Sequence, residues 1–225
     1  MNRQRGIVVE LVGPAGAGKT TLAKGVSAVD PSVHAGLSLW GLPRPKLFAA
    51  TLPLIPRFIA SAILPKRRLQ WGVMAQMIRL GALRSVVRDQ ATKHRVIILD
   101  EGPVFALSWL DVFFARNGDR VPVSWRRRVV AEWATLLDVV VFIDASDLTL
   151  ATRIRQRAKE HMVKDRPDAE IFGFSAGFRR AFERAIGELK QAGHVVVDSL
   201  STETHPLAEA TAQVSARLQQ RRNGH

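Results

Sequence analysis

The chain of 225 residues contains no cysteine. That absence excludes disulfides and thiolate-bound metal centres, and it fits a reducing, cytoplasmic setting. Zinc-finger spacing is missing, as is the aromatic-and-basic signature of an RNA-binding sheet, so nucleic acid is the weakest of the polyanionic partners to consider. No internal repeat and no low-complexity tract occurs, which argues against a solenoid or a disordered tail. The apolar run Ile7–Val12 is too short for a signal-peptide core and no small-residue cleavage site follows it, so no secretion leader is expected.

What is present is a chain 47% hydrophobic with a formal net charge of +13. The apolar share suffices to bury a full core, and the length suits one α/β domain over residues 1–225. The charge is spread along the chain. It favours nucleotides or an anionic membrane surface as partners, or it reflects an arginine-rich proteome.

Short apolar runs alternate with helical patterns. Ile7–Val12, Val96–Leu99, Asp138–Asp144 and His194–Asp198 read as strands, and Ser32–Trp40 as a further one. Helices are expected over about Lys19–Ala28, Val104–Arg116, Trp125–Leu137, Leu148–Lys159 with Asp147 as cap, Ala169–Gln191 with Asp168 as cap, and Pro206–Arg222. Apolar strands separated by helices predict a three-layer α/β fold, a parallel sheet of about five strands covered on both faces. Residues 41–92 form a helical insertion between the second and third strands.

The chemistry begins at Gly13-Pro14-Ala15-Gly16-Ala17-Gly18-Lys19-Thr20, a complete phosphate-binding pattern between a strand and a helix. Glycines let backbone N–H groups, here those from Gly13 and Ala15 through Gly18, curl around a β-phosphate, and the helix N-terminus adds positive potential. Lys19 is expected to reach the β- and γ-phosphates, Thr20 to ligate Mg²⁺ and Thr21 to touch the α-phosphate, with Mg·ATP as the nucleotide. Asp100 ends an apolar strand, where its carboxylate can hold the same Mg²⁺. Asp100 or Glu101 beside it is the candidate base, and Glu101 could instead orient a nucleophile.

Further along, Arg153 and Arg157 share a helical face four residues apart, with His161, Lys164 and Arg166 beyond them. Guanidinium groups suit a transferring phosphoryl group, which makes Arg153, Arg157 and Arg166 candidates. The stripe Phe174, Phe178, Phe182, Ile186 and Leu189 reads as core packing.

These pieces together resemble thymidylate kinase and its relatives among the nucleoside and nucleoside-monophosphate kinases. The phosphate loop through Thr21, the segment Phe142–Asp147 with Leu150–Arg157, Asp165-Arg166 and Phe174–Phe182, and the stretch Val195–Ser201 carry the likeness. It implies a lid over about 150–168, with Arg153 stacked on adenine and Arg157 on the transferring phosphate. It implies an adenine-side loop after the last strand, with Ser199 there. The family pattern usually ends its third strand in Asp-Arg, the arginine holding an acceptor phosphate. Here Asp100-Glu101 stands instead, followed by Gly102-Pro103. An acid at that place argues against a monophosphate acceptor and for a hydroxyl on a small molecule. A P-loop ATPase or nucleotide-dependent switch, with Glu101 activating water, is the alternative.

Residues 41–92 permit two expectations. Leu47–Leu64 is apolar apart from Thr51, Arg57, Ser61, Pro53 and Pro56, with Arg44 and Lys46 before it and Lys66-Arg67-Arg68 after. Two prolines and a central arginine exclude a spanning helix. The segment either packs on the sheet as the acceptor wall, as the resemblance implies, or meets a membrane peripherally over about 44–92, with Trp40 and Trp71 at the boundary. Monomer and homodimer both stay open.

Overall fold

A computed structural model describes residues 5–63, 70–114, 121–158, 160–203 and 207–223. Five parallel strands form one sheet: β1 (Ile7–Val12), β2 (Val33–Ser38), β3 (Val96–Glu101), β4 (Val139–Asp144) and β5 (Val196–Ser201). Their spatial order is β2-β3-β1-β4-β5. The three inner strands are nearly unbroken apolar runs, as burial on both faces demands. β2 and β5 carry His34, Gly36, Asp198 and Ser199, the polarity an edge tolerates. The chain leaves β1 toward β2 and later crosses to β4 on the other side. A crevice therefore opens at the carboxyl ends of the central strands, where ligands of such sheets bind.

Alternation along the strands builds two cores. Val9, Leu11, Ile98 and Val141 pack under α1 (Lys19–Val29) and the terminal helix, here α9 (Leu207–Asn223). Val8, Val12, Ile97, Leu99 and Val140 pack under the opposite layer. That layer holds α4 (Trp71–Ala91), α5 (Pro103–Phe114), α6 (Val123–Ala134) and α8 (Asp168–Ala192), with α7 (Asp147–Arg155) between β4 and α8. Arg126 of α6 ties the layer together, bonding Asp111 of α5 at 2.8 Å and Glu188 of α8 at 2.8 Å.

Between β2 and β3 the insertion consists of α2 (Arg44–Thr51), a 3₁₀ turn (Leu52–Leu54), α3 (Ile55–Ile63) and α4. Pro53 and Pro56 account for the break between α2 and α3, since neither can donate an N–H to the preceding turn. No described helix is long and apolar enough to cross a membrane.

Several boundaries differ from the sequence pattern. Ser146, not Asp147, caps α7, its hydroxyl accepting the Thr149 N–H, and Asp147 sits in the first turn. Pro167 precedes α8 and Asp168 lies inside it. α7 ends at Arg155, short of the expected Lys159, which lies outside the described residues, as do Arg116 and Pro206. β5 starts at Val196 and runs to Ser201, later than the expected His194–Asp198. It pairs with β4 from Val139↔Val196 to Asp144↔Ser201.

Candidate active site

The phosphate loop leaves β1 and ends on the first turn of α1. Gly13 has φ 154°, and a Cβ on it would lie 1.9 Å from the Ile143 carbonyl oxygen, so no side chain fits between the loop and β4. Gly18 caps α1 with φ 91°, in the left-handed region that glycine enters freely. The unpaired N–H groups and positive dipole of α1 point into the loop. Half-buried Lys19 lies across it, donating from Nζ to the carbonyls of Gly13 at 2.7 Å and Pro14 at 3.1 Å. Burial lowers the Lys19 pKa to about 8, with the Asp100 carboxylate pulling it back up and Arg157 pushing it further down.

β3 brings Asp100 to the same place. Thr20 Oγ1 donates to Asp100 Oδ2 at 2.7 Å. Asp100 Oδ1 is buried with no hydrogen-bond partner among the described residues. An orphaned carboxylate oxygen beside a hydroxyl is a donor set that fits a hard divalent cation. Among the described residues no cluster of three His, Cys, Asp or Glu stands ready to hold a metal. Thr20 and Asp100 alone suit Mg²⁺, which keeps water and phosphate oxygens as its other ligands.

Two cavities flank the loop. One, of about 290 Å³, is lined by Gly13, Ala15, Lys19, Thr20, Asp100, Glu101, Arg157, Glu160 and His161, and by the aromatic wall Phe105, Trp109, Phe113, Phe174, Phe178 and Phe182. The other, of about 320 Å³, lies toward β5 and α9, between Gly16, Gly18, Thr21, Leu22, Arg153, Thr202 and Ala210. Arg157 and Thr21 border both. Ala17 is buried behind the loop, and its carbonyl accepts the Thr202 hydroxyl at 3.2 Å. Arg153 is fixed by Thr202, donating to its Oγ1 at 2.9 Å and its carbonyl at 3.1 Å. A larger groove of about 420 Å³ between α6 and α8 is built around the Arg126–Glu188 pair and is remote from the loop.

The expected residues thus divide. The loop, Asp100, Glu101, Arg153 and Arg157 converge. Ser199 does not line either cavity: it is exposed within β5, and Thr202, three residues on, occupies the position beside the loop. Arg166 is also exposed, 3.9 Å from Glu170, and lines neither cavity. Among the described residues, none of 41–92 lines the aromatic cavity, whose apolar wall comes from α5 and α8. The phenylalanine stripe of α8 does both jobs: Phe178 and Phe182 are buried in the core, and with Phe174 they face this cavity.

Three features were not anticipated from the pattern. The base of α7 is clamped from two sides. Arg179 bonds Asp144 at 2.7 Å and Asp147 at 2.5 Å, and Glu203 accepts from Ser146 and Thr149. The α5 aromatics belong to the cavity. Glu10 is wholly buried in β1 and bonds the backbone at the start of α5.

No protein-family model and no curated protein matches the chain. Solved structures do. Deoxyadenosine kinase from M. mycoides, with products dCMP and dCDP bound, is 16% identical, with 95% of this chain and 100% of that one covered at a TM-score of 0.56. Thymidylate kinase from Candida albicans is 13% identical, with 98% and 94% covered at 0.57. Shikimate kinase from Bacteroides thetaiotaomicron is 15% identical, with 95% and 98% covered at 0.50. The chain shares the fold of these nucleoside and nucleoside-monophosphate kinases, a five-stranded parallel sheet flanked by helices.

The two lid arginines should separate in a kinetic test. With Arg153 bonded to Thr202, Arg153→Ala is expected to raise the KM for ATP roughly three- to thirty-fold through lost stacking, and Arg153→Lys to restore little of it. Arg157→Ala is expected to lower kcat by on the order of ten- to a hundred-fold, because a charge beside the transferring group counts most in the transition state. Equal, negligible effects would leave α7 and the residues just after it only a solvated basic segment.

Proposed function

We propose that the chain is a Mg·ATP-dependent kinase that moves the γ-phosphoryl group to a hydroxyl of a small, uncharged acceptor. The observation that carries this is the aromatic cavity. It opens directly on Lys19, Thr20, Asp100 and Arg157, yet its far wall is hydrocarbon. A water-activating ATPase has no use for such a wall, whereas an acceptor with a planar or apolar body fills it. The cationic lining groups, Lys19 and Arg157, stand beside the loop, next to His161, whose pKa burial and Arg157 lower, and the remaining charges are Asp100, Glu101 and Glu160. That arrangement offers nothing to a second phosphate and disfavours a monophosphate acceptor.

In this reading the loop N–H groups and Lys19 hold the β- and γ-phosphates, and Arg153 holds the adenine in the second cavity. Mg²⁺ held by Thr20 and Asp100 would supply further neutralisation of phosphate charge. The acceptor oxygen forms a bond to the γ-phosphorus while the bond to the β–γ bridging oxygen breaks, and ADP leaves. The acceptor proton passes to Glu101, since Asp100 is already engaged by Thr20. Catalysis is then positioning and charge stabilisation.

The test is transfer from γ-labelled ATP across nucleosides, aromatic alcohols, sugars and nucleoside monophosphates. Phosphorylation of neutral hydroxyl compounds with aromatic or hydrocarbon bodies is expected, with slow phosphate release when no acceptor is present. Glu101→Gln is expected to lower kcat by on the order of 10²–10⁴-fold with ATP affinity nearly unchanged. Fast hydrolysis indifferent to every acceptor would establish the ATPase alternative.

A further inference from the structure

Among the described residues, the outer face of the insertion is left uncovered. Phe48, Leu52, Ile55 and Ile59 are 68%, 51%, 41% and 54% exposed. Their spacing of four, three and four places them in one stripe along the path of α2, the 3₁₀ turn and α3. The helical path itself is anchored from behind. Leu54 is buried in the core, Phe58 and Leu42 pack against it, and Lys46 reaches α4 through Ser85 at 3.1 Å and Asp89 at 2.6 Å. The stripe is therefore held outward by a rigid support. Trp40, 49% exposed, stands beside it in sequence with the Arg79 guanidinium 4.1 Å from its ring centroid, and Trp71 at the start of α4 is 74% exposed.

The charge of this region is one-sided. No Asp or Glu occurs between Asp30 and Asp89, while nine Arg and Lys do: Arg44, Lys46, Arg57, Lys66, Arg67, Arg68, Arg79, Arg84 and Arg88. One continuous segment thus supplies nine positive charges to a chain whose net charge is +13, and of these Lys46 and Arg84 are paired with Asp89 and Glu132 outside it.

We infer that this face is a docking surface for an anionic lipid bilayer. The apolar stripe enters the boundary between headgroups and acyl chains, and the positive charge of the segment favours anionic headgroups there. Exposed tryptophans suit that boundary, with a wet edge and an apolar body. The charge decides against the other occupants. A second copy would bring a like-charged, acid-free segment against this one. A nucleic acid would satisfy the charge but offers no hydrocarbon to cover four exposed aliphatic and aromatic side chains. With no described helix able to span, the mode is peripheral. The inference does not depend on which acceptor the cavity takes.

Co-sedimentation of the full chain with vesicles tests it. Binding to phosphatidylcholine vesicles containing phosphatidylglycerol is expected to exceed binding to phosphatidylcholine alone by at least about tenfold, and to fall as salt is raised. A triple variant, Phe48→Ser, Leu52→Ser and Ile55→Ser, changes only exposed side chains. It should lose at least about tenfold of that binding while its ATP affinity and far-UV circular dichroism match the parent. No binding to anionic vesicles at low salt overturns the inference. Binding that survives undiminished in the triple variant overturns it as well, because charge elsewhere on the chain then suffices. A concentration-dependent dimer in sedimentation velocity that the triple variant dissolves would assign the face to a second copy instead, and likewise overturns it.

Discussion

Lys19→Ala is expected to reduce kcat/KM for ATP by on the order of 10³-fold and to leave the fold intact. The Lys19 ammonium is already placed before any phosphate arrives. Two loop carbonyls, at 2.7 Å and 3.1 Å, hold it across the concavity formed by the start of α1. Its proton is retained at neutral pH, because burial lowers the pKa only to about 8. A phosphate group then meets a fixed charge and pays little to organise it, which is the condition under which one cation contributes several kcal/mol. Lys19→Arg separates charge from fit. The guanidinium keeps the charge but is a larger, planar group in a half-buried slot, so it should recover only a small part of the loss. Isothermal titration with ATP and steady-state kinetics measure the two effects. A Lys19→Ala protein that binds and turns over Mg·ATP like its parent removes the nucleotide reading altogether. The far-UV spectrum guards against the trivial outcome of misfolding.

How much of this was legible in the sequence depends on how local each feature is. The phosphate loop was legible because its chemistry lies within eight consecutive residues whose spacing is fixed by the curl of the backbone. Asp100 was legible because an acid closing an apolar strand marks the sheet edge where the loop also ends. The inner strands were legible from unbroken apolar runs. The outer strand β5 was not delimited as well: its apolar start, Val196-Val197, is followed by Asp198, Ser199 and Ser201, and an edge strand tolerates that polarity. Thr202, one residue beyond the end of β5 and beside the loop, went unremarked for the same reason. The acceptor side was the least legible part. Phe105, Trp109 and Phe113 look like any amphipathic helix until the turn after β3 is known to aim α5 at the loop. The resemblance places an acceptor wall in the insertion at 41–92, whose exposed stripe faces away from the core that α4 shares with the sheet.

Glu10→Ala is expected to be the most damaging single change to stability, by about 3 kcal/mol or more. In the sequence Glu10 merely interrupts an apolar strand. In the fold it follows Val8 onto the sheet face that meets α5. Its Oε1 accepts the N–H groups of Gly102 at 3.0 Å and Phe105 at 2.9 Å, and its Oε2 accepts that of Val104 at 2.9 Å. Pro103 between them has no N–H to offer. These are the donors that the start of a helix leaves unpaired, so a carboxyl from β1 serves as the cap of α5. Gly102 permits the approach: a Cβ there would lie 2.7 Å from the Glu10 carboxyl carbon. The bond network fixes the β3–α5 turn against β1, and thereby sets Asp100 and Glu101 relative to the phosphate loop. Removing the side chain orphans three buried N–H groups and opens a cavity, so both the urea midpoint and kcat should fall. Burial raises the Glu10 pKa from 4.5 to about 7, against the three N–H donors that lower it. A folded-state pKa above the unfolded one means that the folded state holds the proton more tightly. The associated stabilisation, on the order of 3 kcal/mol, is fully present below about pH 4.5 and is lost as pH rises through about 7. Glu10→Gln cannot titrate, and its amide sets one N–H group facing the Val104 N–H. The parent should therefore be more stable than Glu10→Gln at pH 5, with the gap in urea midpoint narrowing steadily toward pH 8. Comparing the two proteins at each pH cancels the titration of His34 and His161, whose pKa values burial lowers. A gap that stays constant from pH 5 to pH 8 would mean that Glu10 is ionised throughout, and a gap that widens would reverse the sign of its coupling to folding.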